Sequence, residues 1–296
     1  EHAIYDQTVK LMKPEEEVHA RHILVDNEAE AKKIAARIKG GEDFAKVAAD
    51  PQASNMIRTL FVNKQAAEKG AGRPKDIPTV EIKKVGVLGA GLMGSGIAQV
   101  CAQAGYRTIV REVDQAAVDA GLDRIGRFLQ SGVERGKLTG EDREEVLGRL
   151  TGTTTVEPFA ESDLVIEAIV ENIEAKQAAF TELEPVVKSE TVFCSNTSSV
   201  CITELAAATT RPDKFIGLHF FSPVPVMGLV EVIRGLSTVD ATYQRVFEFA
   251  QALGKKPVAA PDQPGFIVNR LLIPYLLSAV RGYESGCGTL EDIDAA

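Results

Sequence analysis

Beyond Lys84 short apolar runs recur at 85–88, 108–110, 164–168, 191–194, 215–218, 229–232 and 257–260, separated by stretches with helical periodicity. The runs are apolar at consecutive positions rather than at every second one, which suits strands buried on both faces. Their alternation with helices predicts crossover units and a doubly wound, mainly parallel sheet of the α/β class, covered on both sides. Upstream, residues 1–50 show a strand-like pattern at 18–25 and helical patterns at 28–38 and 42–49, a small α+β fragment. A second amphipathic stretch at 54–69 runs into Gly70-Ala71-Gly72-Arg73-Pro74 and Ile77-Pro78, the punctuation of a linker. The organisation read from the pattern is therefore a fragment at 1–50, a helical connector at 51–83, a main domain at 84–263 and the start of a helical domain at 264–296. In that last segment Leu271, Leu272, Ile273, Tyr275, Leu276 and Leu277 form an apolar helix that calls for a cover.

Composition narrows the function classes. The 296 residues are 45% hydrophobic and 25% charged, with a net charge of −9 and basic residues scattered among acidic ones. That balance argues against a nucleic-acid surface or a polybasic membrane contact, and an anionic ligand would need a local positive site. Cys101, Cys194, Cys201 and Cys287 lie among apolar or small residues without metal-ligand spacing, so they read as inert buried thiols in a reducing compartment. No metal site is expected. No apolar run approaches a membrane span and the N-terminus lacks a signal-peptide pattern, which reads as a cytoplasmic protein.

The strand at 85–88 feeds directly into Gly89-Ala90-Gly91-Leu92-Met93-Gly94, and a helical pattern follows. In this strand-turn-helix context Gly89 permits the tight turn, Gly91 lets backbone amides approach a pyrophosphate, and Gly94 lets the helix pack on the strand. The next strand ends at Glu112, 23 residues after Gly89, where an acid meets a ribose diol. This is a Rossmann-type dinucleotide fingerprint. A carboxylate there favours NAD over a 2′-phosphorylated cofactor, a preference that neighbouring Arg111 would soften.

The segment from His219 to Glu231 reads His-Phe-Phe-Ser-Pro-Val-Pro-Val-Met-Gly-Leu-Val-Glu. Twelve residues is too long for one helical face, so the two meet only if Pro223 and Pro225 turn the chain and 229–232 runs back as a strand. Glu231 would then hold one tautomer of His219 for general-base work on an alcohol. Taken alone, His219 beside Phe220 and Phe221 also fits simple core packing.

From about Lys84 to Ala296 the chain resembles the 3-hydroxyacyl-CoA dehydrogenases. The resemblance rests on the glycine turn, Asp163-Leu164-Val165-Ile166-Glu167-Ala168-Ile169-Val170-Glu171-Asn172, Ser195-Asn196-Thr197-Ser198-Ser199, the His219 segment, and Pro264-Gly265-Phe266-Ile267-Val268-Asn269-Arg270, all in family order. It implies NAD as cofactor and an acyl-CoA as partner. His219 would be the base and Glu231 its orienting group, Glu171 and Lys176 would touch the nicotinamide half, Ser198 the substrate hydroxyl and cofactor, and Asn269 the substrate. Glu171 and Lys176 also fit a solvated helix-start pair, and Ser198 and Asn269 fit helix caps. Ser222 stands where the family often has asparagine, and its shorter hydroxyl would meet the cofactor or substrate. Arg124, Arg127, Arg135 and Lys137 fall where the family sets a helical pair over the CoA, and they equally fit a solvated face. The family's second domain is all-helical and forms a homodimer; here only 264–296 matches it, so the resemblance implies that much of that domain is missing.

The N-terminal part resembles other proteins. Glu15-Glu16-Glu17-Val18-His19-Ala20-Arg21-His22-Ile23-Leu24-Val25 and Gly41-Glu42-Asp43-Phe44-Ala45 are similar to the start of a parvulin-type prolyl isomerase, a likeness that stops near Asp50. Isomerase activity is not expected, and His19 with His22 makes an incomplete metal site. Residues 54–78 resemble the connector of multifunctional fatty-oxidation proteins. Two other functions stay open at this point: a nucleotide-binding protein without turnover, motivated by the short helical part, and a two-domain dehydrogenase of another hydroxy acid.

Overall fold

The computed structural model describes residues 81–295. The expectations for the strand at 18–25, the helices upstream of 70, the linker, and His19 and His22 lie outside the described residues.

Eight strands form one sheet in the order β3-β2-β1-β4-β5-β6-β7-β8. They are β1 (Lys84–Leu88), β2 (Arg107–Arg111), β3 (Leu150–Thr153), β4 (Leu164–Glu167), β5 (Val192–Ser195), β6 (Phe215–Phe220), β7 (Leu229–Arg234) and β8 (Lys256–Ala260). Neighbours run parallel except β6 and β7, which pair antiparallel. The chain winds from β1 outward to β3 and then returns to β4 on the other side of β1. That reversal opens a crevice beyond the carboxyl ends of β1 and β4, the usual ligand position in such sheets.

The apolar runs are continuous because both faces are covered. Val85 and Val87 point into one core with Ile97, Ala98 and Cys101 of α1 (Leu92–Gln103), Ile125 and Leu129 of α2 (Gln115–Glu134). Leu88 and Val165 point into the other with Phe159, Phe180, Phe193 and Phe215. Rings of the last three stack at centroid distances of 5.1, 4.7 and 6.4 Å, and each buried ring of this size stabilises the fold by about 1.5–3 kcal/mol. Gly86 faces the same side, where an added Cβ would come within 2.4 Å of the Phe159 ring. After α2 the chain forms α3 (Gly140–Leu147), with Thr139 and Asp142 in a reciprocal capping box. α4 (Ile173–Leu183), α5 (Ile202–Ala206) and α6 (Asp240–Ala252) complete the layers.

The structure departs from the expected pattern in three places, while the apolar helix forms as expected. Strand β3 has no counterpart among the apolar runs: Leu-Thr-Gly-Thr sits at the sheet edge, and Gly152 is required there because a Cβ would meet Val118 at 2.3 Å. β6 extends to Phe220, so His219 belongs to the strand rather than to the turn after it. Cys101 and Cys194 are buried, their thiols pushed up by desolvation, whereas Cys201 and Cys287 are exposed, which corrects the reading of four buried thiols. The apolar helix, α7 (Val268–Glu284), exposes Leu271 and Tyr275 at 70% each, and α8 (Leu290–Ala295) follows it. No helix of the described residues is long and apolar enough to cross a membrane.

Candidate active site

The glycine turn leaves β1 at Gly89, whose φ of +96° is the left-handed region that glycine alone enters freely. An added Cβ on Gly94 would lie 1.9 Å from the Gly89 carbonyl oxygen, while Gly91 faces open space. The first turn of α1 has no side-chain cap. Free helix-start amides, a positive helix end and an unobstructed Gly91 fit a pyrophosphate. Glu112 lies just beyond β2 and accepts from the Ala90 N–H at 2.6 Å and from the Val113 N–H at 3.1 Å. The carboxylate assigned to the ribose thus also tethers the turn. The Arg111 guanidinium makes a bidentate pair with Glu182 at 2.8 Å through each nitrogen. Its charge is therefore engaged by Glu182.

On β6 and β7, His219 and Glu231 are direct cross-strand partners in the antiparallel register. The turn between them forms as Pro223 and Pro225 suggest, with the Val226 and Met227 amides donating to the Pro223 carbonyl. His219 Nδ1 lies 2.8 Å from Glu231 Oε2, and its Nε2 lies 3.0 Å from Ser198 Oγ. Glu231 is fully buried, and its other oxygen accepts from the Ile267 and Val268 amides at the start of α7, at 3.0 and 2.9 Å. A carboxylate that already accepts two amide bonds is an acceptor toward the imidazole, so in the neutral ring Nδ1 donates to Glu231 and Nε2 is left to accept. Phe221 and Phe266 flank the ring at 4.6 and 5.4 Å. Core packing and polar contact coincide here.

Ser198 is held in turn by a second set of charges, in which Glu167 and Lys176 are buried and Glu171 is partly exposed. Its amide donates to Glu171 Oε1 at 2.8 Å, as do the Ser199 amide at 3.1 Å and the Thr197 hydroxyl. Glu171 Oε2 pairs with Lys176 at 3.1 Å, and Lys176 pairs with Glu167 at 2.6 Å. Lys176 is 1% exposed and Glu167 fully buried, so the lysine is not part of a solvated pair. Burial would raise the Glu171 carboxyl, but the Thr197 hydroxyl, the Lys176 charge and the Ser198 amide outweigh it and hold it at about 2. Glu167 also accepts from Ser195 Oγ at 2.6 Å and the Ile169 amide at 2.8 Å, tying the ends of β4 and β5 together. Asn196 Oδ1 accepts from the Phe220 amide, joining that loop to β6.

Glu167, Thr197 and Asp262 had no role in the sequence reading. The one available signal was Glu167 itself, a charge closing the apolar run Leu164-Val165-Ile166, which demands a buried partner. Asp262, rather than Ser198, caps the start of α5 by accepting from the Ile202 and Thr203 amides, each at 2.8 Å.

The family model described as "3-hydroxyacyl-CoA dehydrogenase, NAD binding domain" matches residues 84–263, and that described as "3-hydroxyacyl-CoA dehydrogenase, C-terminal domain" matches 265–296. The chain belongs to the 3-hydroxyacyl-CoA dehydrogenase family. Its cofactor is accordingly NAD. Among its relatives, a 3-hydroxybutyryl-CoA dehydrogenase of Mycobacterium tuberculosis is 49% identical over 217 residues, 73% of this chain and 76% of that one. The human mitochondrial hydroxyacyl-coenzyme A dehydrogenase is 45% identical over 73% of this chain and 70% of its own. Among solved structures, the (S)-3-hydroxybutyryl-CoA dehydrogenase of Ralstonia eutropha superposes with a TM-score of 0.70 at 41% identity, covering 72% of this chain and 75% of that one.

The other positions expected from the 3-hydroxyacyl-CoA dehydrogenases fall in four places. Asn269 is the second residue of α7, directly after the Val268 amide that Glu231 holds. Ser222 is exposed at the end of β6. Arg127, Arg135 and Lys137 are exposed toward the far end of α2 and beyond it, with Arg135 bonded to its own helix at the Ser131 carbonyl. Arg124 is not among them: its guanidinium donates to the Ala90 carbonyl in the glycine turn at 2.8 Å.

Proposed function

We propose that the chain oxidises a 3-hydroxyacyl-CoA to the 3-oxoacyl-CoA, reversibly, with His219 as the general base. The observation that carries this reading is the line Ser198–His219–Glu231, in which Nε2 meets a hydroxyl and Nδ1 meets a buried carboxylate. A substrate alcohol beside Ser198 would give its proton to Nε2, and Glu231 would stabilise the imidazolium that results. When bound, NAD supplies the acceptor for the hydride that leaves the same carbon. Ser198 aligns the hydroxyl, while Glu171 and Lys176 fix Ser198 from behind and lie toward the nicotinamide half. Gly89, Ala90, Gly91, Leu92, Met93 and Gly94 cradle the pyrophosphate, and Glu112 takes the adenosine ribose. Asn269 and Ser222 face the substrate and the nicotinamide side, and Arg135 and Lys137 belong to the CoA end. The setting is cytoplasmic, and the apolar face of α7 suits pairing of two copies.

Purified protein supplied with NAD and 3-hydroxybutyryl-CoA should produce NADH, whereas free 3-hydroxybutyrate should be a far poorer substrate. Equal oxidation of the free acid would replace this reading with a dehydrogenase of hydroxy acids. NADH binding without turnover of either compound would replace it with a binding protein.

A further inference from the structure

We infer that Arg124 is a positioning residue for the cofactor's pyrophosphate, acting through the glycine turn rather than on the CoA. Three contacts fix the backbone at Ala90. Glu112 accepts from its N–H at 2.6 Å, Arg124 Nη1 donates to its carbonyl at 2.8 Å, and α2 lies so close that a Cβ on Gly121 would come within 2.4 Å of the Ala90 Cβ. Gly121 and Arg124 are three residues apart, on one face of α2, and together they grip the turn. In a trans peptide the carbonyl of one residue and the N–H of the next point in opposite directions. Drawing the Ala90 carbonyl toward α2 therefore turns the Gly91 N–H away from α2, at a residue where an added Cβ would meet no protein atom within 4 Å. That N–H is a donor a phosphate oxygen can use. Arg135, eleven residues further on at the C-terminal end of α2, stands about 16 Å along the helix axis, and Lys137 lies in the turn beyond it, so Arg124 is set apart from both.

The inference rests on the NAD-binding reading above. Its test compares the wild type with Arg124→Met and Arg124→Lys by NADH fluorescence titration, competition by ADP-ribose and by adenosine, the KM for 3-hydroxybutyryl-CoA, and the thermal midpoint without ligand. Losing one charge-assisted bond to the turn should weaken NADH and ADP-ribose together by about tenfold or more in the methionine variant. Adenosine, which has no phosphate, should compete equally against both proteins. The KM for the thioester should stay at the wild-type value, the thermal midpoint should fall by no more than a few degrees, and lysine should restore most of the NADH affinity. If the methionine variant does not fold, the lysine variant together with Gly121→Ala, which pushes α2 off Ala90, decides the matter by the same ratio of NADH to adenosine affinity. Unchanged NADH affinity, or a raised KM for the thioester with NADH affinity intact, overturns the inference. A wild type that does not bind NADH overturns the NAD-binding reading itself.

Discussion

The glycine turn and the His219 cluster stand at the same carboxyl edge of the sheet and are built from different materials. Around the turn the geometry depends on side chains that are absent: no Cβ fits at Gly94, and none obstructs Gly91. Around His219 it depends on side chains that are charged, with Glu231 buried on one flank and, on the other, the buried Glu167–Lys176 pair joined to the partly exposed Glu171. A phosphate needs backbone donors and room. A proton acceptor needs one nitrogen presented and the other fixed, which only a buried partner provides. The cofactor end is therefore sensitive to added volume, and the acid-base end to lost charge.

The largest effect expected from breaking this contrast is on stability at the acid-base end. Lys176→Met leaves Glu167 buried without its cation, and denaturant unfolding should show a loss of about 3–5 kcal/mol. A loss below about 1 kcal/mol would mean that this group does not hold the β4 and β5 ends together. Next comes the cofactor end: in Gly94→Ala the new carbon must displace the Gly89 carbonyl 1.9 Å away. Strain of about 1–3 kcal/mol should appear as NADH binding weakened roughly tenfold to a hundredfold, whereas the same change at Gly91 meets no protein atom. The smallest effect is a pH dependence. The Glu171 carboxyl is drawn from 4.5 to about 2, so its contribution is complete above 4.5 and fades as pH falls toward 2. The gap in thermal midpoint between wild type and Glu171→Gln should accordingly hold steady from neutral pH to about 4.5 and then close. A gap that does not change over that range would show that the carboxylate's charge is not what Thr197 and Ser198 rest on.

The same contrast explains what could be read from the sequence. A strand, three glycines and an acid at the right interval are local features, so the dinucleotide turn was legible without the fold. The β6–β7 pairing was legible as a condition, because two prolines and an apolar run marked where the chain had to turn back. The partners of Ser198 were not. Glu167 reaches Lys176 only because β4 and α4 pack as they do, and Asp262 reaches α5 from 60 residues further along the chain. Strand β3 left no apolar run because Leu-Thr-Gly-Thr carries one large apolar side chain and buries none of its four residues fully. Arg124 read as one of four basic residues on a helix, and only the fold separates it from Arg127, Arg135 and Lys137 by turning it onto Ala90.

The central claim, that proton transfer and cofactor binding are separate constructions joined at one edge of the sheet, is tested most directly by His219→Gln with kcat and the NADH dissociation constant measured on the same preparation. Removing the base should lower kcat by about 10²–10⁴ and leave NADH affinity within about twofold of wild type. Turnover at the wild-type rate, or NADH affinity lost in step with activity, would contradict it.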